Sequence, residues 1–263
     1  MRLVILSDFH AGSVVGLTPP QWQFEFKHSE KTKRDKFSIV QEVCWNYYAD
    51  TIKKLKPIDI LVVNGDCIDG RGEKSGSTEL ITSDQYEQCE IASNIIRRGV
   101  TKGTRIVMTY GTAYHASPDG NDWENVIADD VKADKIGSHE WLNVKGTVFD
   151  IKHHVGSTGT PVGVMPLTRE RVWNILWNEH SDQPKADVMI RSHVHRYTYI
   201  GGPNWLGITT PALCAPGSKY GARRCSGIVH FGLVHFDISN NGSYTWQAHI
   251  ARPPELRAHT LKF

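Results

Sequence analysis

The stretch Arg2–His10 reads RLVILSDFH. Its apolar run ends at Ser7-Asp8 and is too short for a buried helix. It reads as a buried strand that delivers Asp8 and His10 at its carboxyl end. The same layout recurs down the chain. IDILVV at 58–63 stops at Asn64-Gly65-Asp66, and TRIVMTY at 104–110 stops at Gly111-Thr112, with His115 soon after. Residues 147–152 stop at His153-His154, and DVMIR at 187–191 stops at Ser192-His193-Val194-His195. Helical spacing separates these runs. One helix is predicted over 35–56 and closed by Pro57, a second from a Ser83-Asp84 cap to about Arg98, and a third around 122–134. A fourth is predicted over 168–180, with Thr168 as N-cap and Trp173, Leu176 and Trp177 on one face. From about 198 to 250, short strands alternate with Gly, Pro and Asn turns. Alternating strands and helices predict α/β layers around a largely parallel sheet. With no internal repeat and no linker composition, one domain is expected over 1–263.

Composition narrows the function classes. Lys plus Arg number 30 and Asp plus Glu 28, a net charge of +2 that by itself predicts no obligate nucleic-acid or membrane partner. No apolar run reaches transmembrane length, and the first residues make a poor signal peptide, so a cytoplasmic protein is expected. The five cysteines (Cys44, Cys67, Cys89, Cys214, Cys225) form no CxxC pair and read as reduced, mostly buried thiols. Histidine is the unusual component: there are 13, and several stand at the strand ends.

In open α/β sheets, ligands bind beyond the carboxyl ends of the strands. Carboxylate and imidazole gathered there suit a two-metal site. Asp8 and His10 are two residues apart, as are His193 and His195, a spacing that puts side chains on one side of a regular strand, although either pair could stand in a loop. Oxygen and nitrogen donors without thiolate favour hard or borderline cations. Two such ions clamp a phosphate and lower the pKa of a shared water.

Taken in order, these segments resemble the calcineurin-like metallophosphoesterase superfamily. Its motifs DxH, GDxxD, GNH(D/E), a lone H and GHxH stand here as Asp8-Phe9-His10, Gly65-Asp66-Cys67-Ile68-Asp69, Gly111-Thr112-Ala113-Tyr114-His115, His153-His154 and Ser192-His193-Val194-His195, over residues 4–195. The resemblance implies an α/β fold, a four-layer α/β/β/α sandwich of two mixed sheets flanked by helices. It implies that Asp8, His10 and His195 hold a first metal, that Asp66 bridges, and that His193 with His153 or His154 holds a second. The spacing from the strand favours His153. Two divalent metal ions are expected, manganese first, with iron, zinc, nickel, cobalt or magnesium as alternatives.

Two departures stand out. Thr112 occupies the position of the metal-binding Asn, so either Thr112 or His115 must fill its role, with His115 also a candidate catalytic acid. Ser192 replaces a Gly, a small change. After Asp69, Gly70-Arg71-Gly72 is similar to a phosphate-gripping segment of the phosphoprotein phosphatase branch, which makes Arg71 a second candidate catalytic residue. Asp69 either orients a neighbouring His or caps the loop. The expected activity is hydrolysis of a phosphate ester by a metal-bridging hydroxide, with a nucleotide or nucleic-acid phosphodiester as first substrate class. A phosphomonoester or phosphoprotein is the alternative, as is a non-catalytic scaffold on the same fold. Arg223 and Arg224, in the Gly/Pro-rich stretch after the last motif, read first as part of a solvated face, with lining of the crevice as the alternative. The sequence leaves the oligomeric state open.

Overall fold

The computed structural model describes residues 1–23, 36–72, 76–112, 122–156, 164–218, 227–252 and 260. Its elements run β1 (Arg2–Leu6), α1 (Lys36–Leu55), β2 (Ile60–Asn64), α2 (Gln85–Gly99), β3 (Arg105–Thr109), α3 (Trp123–Val131), β4 (Lys135–Gly137), β5 (Glu140–Val144), β6 (Thr147–Ile151), α4 (Met165–Glu179), β7 (Val188–Arg191), β8 (Thr198–Gly202), β9 (Trp205–Thr209), β10 (Phe231–Ile238) and β11 (Tyr244–Ala251). They form two mixed sheets, not one largely parallel sheet. The first has the order β11-β10-β1-β2-β3-β4 and the second β5-β6-β7-β9-β8. β1 to β4 are parallel, as are β6, β7 and β9, whereas β10, β11, β5 and β8 join antiparallel.

Side-chain alternation explains the layering. In β1, Val4 and Leu6 enter one core while Leu3 and Ile5 enter another. In β10, Phe231 and Leu233 take the first core while Val234, Phe236 and Ile238 take the second. The first core lies between the first sheet and α1 and α2, whose Val40, Cys44, Tyr48, Ile52, Ile91 and Ile95 recur at helical spacing. The second lies between the sheets, where Phe149 of β6 meets Phe236 of β10 edge-to-face at 5.1 Å between ring centres. α4 packs on the outer side of the second sheet, against β9. Helices, sheet, sheet and helix therefore stack in four layers.

α2 starts as its sequence predicts, with Asp84 accepting from the Tyr86 N–H at 2.9 Å. α4 differs from its prediction. It begins at Met165, with Pro166 in the first turn, so Thr168 lies inside the helix and is not its N-cap. Its buried face is Leu167, Arg171 and Asn174, while Trp173, Leu176 and Trp177 are exposed. Four of the five cysteines are free and buried, and Cys225 lies outside the described residues.

Candidate metal centre

The parallel pairing of β1 and β2 continues past their ends as loop pairing. Asp8 N–H donates to Gly65 O at 3.1 Å, His10 N–H to Asp66 O at 3.1 Å, and Ala11 N–H to Cys67 O at 3.0 Å. The Asp8-His10 and Asp66 loops are thus one unit. On the second sheet, Ser192 N–H donates to His153 O at 2.8 Å, which ties the loop after β7 to the loop after β6. His193 N–H donates to Asp8 Oδ1 at 3.2 Å and joins the two sheets at the site.

The spacing of two within each pair does not come from strand alternation. Nine described non-glycine residues have positive φ, and five of them are Asp8, His10, Asp66, His193 and His195. Such conformations cost energy in non-glycine residues and concentrate at functional sites. The loops turn these side chains inward, where a regular strand would place them on its faces.

Two groups result, each with donor atoms close enough to share one cation: Asp8, His10 and His195, and Asp66, His153 and His193. In the first, His10 Nε2 and His195 Nε2 face each other at 3.2 Å, and His195 Nε2 lies 3.3 Å from Asp8 Oδ1. In the second, Asp66 Oδ2 lies 3.1 Å from His153 Nε2 and 3.8 Å from His193 Nδ1. Thr112 belongs to this second group. Its N–H donates to Asp66 Oδ1 at 2.6 Å, and its hydroxyl lies 3.0 Å from His193 Nδ1 and 3.2 Å from Asp66 Oδ2. His154 belongs to neither. It is exposed, with its ring 4.8 Å from that of His193.

The donor set fits cations. Asp8 is fully buried, yet its Oδ2 has no hydrogen-bond partner. An unpaired buried carboxylate oxygen is costly, and a cation beside it removes the cost. The protonation pattern agrees. Burial opposes charge on His10, but a hydrogen bond to Asp69 and the charges of Asp66, Asp69 and Asp8 raise its pKa to about 9. Burial likewise opposes charge on His153, and Asp66 and Asp8 raise it to about 9. Burial opposes ionisation of Asp8, but His195 and His153 hold its pKa below the usual value. The carboxylates create a negative pocket that calls for positive charge.

Supporting contacts aim the rings. Asp69 Oδ1 lies 3.2 Å from His10 Nδ1, which leaves Nε2 pointing into the first group, so Asp69 orients a histidine. His153 Nδ1–H donates to Asn64 O at 2.7 Å and frees Nε2 for the second. Gly65 (φ +74°) cannot carry a Cβ, because that atom would lie 2.5 Å from His153 Nδ1.

Beneath the site runs a buried polar chain that motif reading missed. Ser7 Oγ meets Thr210 Oγ1 at 2.8 Å, Thr210 meets Ser192 Oγ at 2.7 Å, Asn64 Nδ2–H donates to Ser192 Oγ at 2.6 Å, and Thr109 Oγ1–H donates to Asn64 Oδ1 at 2.6 Å. Its signal was present: Ser7, Asn64 and Thr109 are the polar residues that end apolar runs. The Ser at 192 is therefore a structural participant and not only a small substitute. Arg71 is exposed, and its Nε approaches Gln85 Oε1 at 3.5 Å. His115, Arg223 and Arg224 lie outside the described residues.

No family model and no curated protein matches the chain. Solved structures similar to it include an archaeal phosphodiesterase at 13% identity and TM-score 0.44, covering 95% of this chain and 100% of that one. YfcE, a phosphoesterase from E. coli, is 13% identical with TM-score 0.42, covering 94% and 99%. Vps29 from Entamoeba histolytica, complexed with zinc, is 10% identical with TM-score 0.42, covering 95% and 99%. Likeness this distant says nothing of chemistry, which rests on the residues of the site. No described helix is long and apolar enough to cross a membrane.

Proposed function

We propose that the protein is a dinuclear metal-dependent phosphoesterase of the calcineurin-like kind, hydrolysing a phosphodiester of a nucleotide or nucleic acid. The observation that carries this reading is the pair of adjacent Asp/His groups, together with the buried, unpartnered Oδ2 of Asp8 in the first of them. Asp8, His10 and His195 would hold one ion, and Asp66, His153 and His193 the other, with Asp66 shared and Thr112 at the edge of the second. Two bound cations supply a clamp for phosphate and a water made acidic enough to attack it. The chain's own residues do the rest. Asp69 and Asn64 hold the imidazoles in register. His115, three residues after Thr112 in sequence, and Arg71, after Asp69, are assigned to the equatorial charge of the phosphoryl group. The outer ligands favour an open site suited to diesters and polymers, since the His193 and His195 side chains are 34% and 23% exposed. Manganese is the proposed metal and the cytoplasm the proposed compartment.

The test measures metal content after reloading with Mn²⁺, together with turnover of a generic diester and a generic monoester. Two ions per chain and diester turnover that drops at least about 100-fold in Asp66→Asn are expected. Absence of metal, or equal turnover in wild type and Asp66→Asn, refutes the enzyme. The replacement of the ligand Asn by Thr112 favours one second reading, a metal-binding scaffold. Two ions without turnover of either ester would establish it.

A further inference from the structure

α4 is an inverted amphipathic helix. Under it, Arg191, almost wholly buried, pairs with Asp150 Oδ1 at 2.7 Å and Glu170 Oε2 at 3.0 Å, and Lys152 Nζ also reaches Glu170 Oε2 at 3.0 Å. Asn174 accepts from Ala186 N–H at 3.0 Å and donates to Pro184 O at 2.9 Å, and Arg171 donates to Ala186 O at 2.6 Å. These partners require a polar inner face made of Glu170, Arg171 and Asn174. Leu167 is buried beside them, Val172, Ile175 and Leu176 stand on the exposed side, and Trp173 and Trp177 stand at the flank, where they line a pocket with His139, Asp150, Lys152 and Arg191. Met165, Val172, Trp173, Ile175, Leu176 and Trp177 are each between 42% and 54% exposed. They present on the order of 500 Å² of apolar surface, the upper part of what a monomer shows in one patch.

We propose that a second copy of this chain covers this face, with the two α4 helices packed antiparallel about a two-fold axis. The face is complementary to itself. Met165, Val172 and Leu176 stand at i, i+7 and i+11 along its centre, with exposed Arg169 and Glu179 toward its two ends. Positions 172 and 176 are symmetric about position 174, and so are 169 and 179. Antiparallel pairing centred there sets Val172 against Leu176 of the other copy. It brings Arg169 level with the other copy's Glu179, twice over. The two Trp173 rings meet on one flank and the two Ile175 side chains on the other. Parallel pairing would bring Arg169 to Arg169 and Glu179 to Glu179. With a polar rim, the covered area comes within reach of the roughly 800 Å² per partner of a standard interface. The proposal is independent of the metal centre.

Sedimentation velocity across about 1 to 100 µM chain separates the outcomes, because a dimer that forms by mass action shifts with concentration. Wild type is expected to sediment as a dimer, and Leu176→Glu as a monomer with unchanged circular dichroism and melting temperature. Arg169→Glu and Glu179→Arg each weaken the dimer at least about tenfold. The double variant Arg169→Glu/Glu179→Arg restores it, because both copies then carry the swapped pair. A wild-type monomer at all concentrations, a dimer indifferent to Leu176→Glu, or a double variant as weak as the singles overturns the proposal. So does a monomer that binds phosphatidylcholine vesicles through this face.

Discussion

His153 donates its Nδ1–H to the carbonyl of Asn64, two residues before Asp66, while its Nε2 faces the Asp66 carboxylate at 3.1 Å. One imidazole thus grips both the end of β2 and the acid that follows it. Little room is left around this contact. A Cβ on Gly111 would collide with the Asp66 backbone N and its Oδ1. Gly111→Ala is predicted to displace Asp66 and lower metal affinity at the second group by about 10–100-fold, with the first group less affected. Calorimetric titration of the metal-stripped protein with Mn²⁺ checks this, and two unchanged binding steps would contradict it.

Asp69 is predicted to serve the first group alone. Asp69→Asn keeps the shape but loses the charge that holds His10 Nδ1. Affinity at the first group should fall by about 10–100-fold while the second step of the same titration stays in place. An equal loss at both groups would mean that Asp69 shapes the whole loop instead.

The buried chain from Ser7 to Thr109 is predicted to matter for stability more than for metal. Asn64 is wholly buried and uses both ends of its amide, donating to Ser192 and accepting from Thr109. Asn64→Leu strands the Thr109 hydroxyl, removes one of the Ser192 hydroxyl's two partners and should cost about 2–4 kcal/mol in urea unfolding. Ser192→Gly, the residue of the resembling motif, should cost about 1 kcal/mol or more. A neutral Asn64→Leu would show that the chain is incidental.

Acid sensitivity should have a component far from the metal centre. His249 Nε2 lies 2.9 Å from His235 Nδ1, with Arg2, Lys54 and Asp237 also acting on the pair. Burial, then the charges of His235, Arg2 and Lys54, push the His249 pKa down to about 4. An unfolded histidine titrates near 6.5. The native chain therefore binds fewer protons between these values, and its stability is full above pH 6.5 and falls as pH drops toward 4, by at most about 1.4 kcal/mol per unit. With chelator present throughout, His249→Gln should flatten the decline in melting temperature over that window. An unchanged slope would exclude His249 as its source.

Sequence alone determined the strand ends and what they carry. An apolar run that stops at Asp or His is a local pattern, so Asp8, His10, Asp66, His153, His193 and His195 could be named before any contact was known. Three things needed the third dimension. β4 is only three residues long, and the β5–β6 hairpin joins β7 and not β4, so the single largely parallel sheet of the periodicity became two mixed sheets. Spacing from the strand favoured His153 over His154, but only the structure showed the His153 ring turned toward Asp66 and the His154 ring outside both groups. For α4, the 3.6-residue period predicts a helix with an apolar face, but period carries no sign. Only the Arg191–Asp150–Glu170 network beneath the helix decided that Arg171 and Asn174 lie inward and Leu176 outward, with Trp173 and Trp177 half-exposed at the flank. Buried charges must be paired, and that requirement outweighed the burial of Trp173 and Leu176.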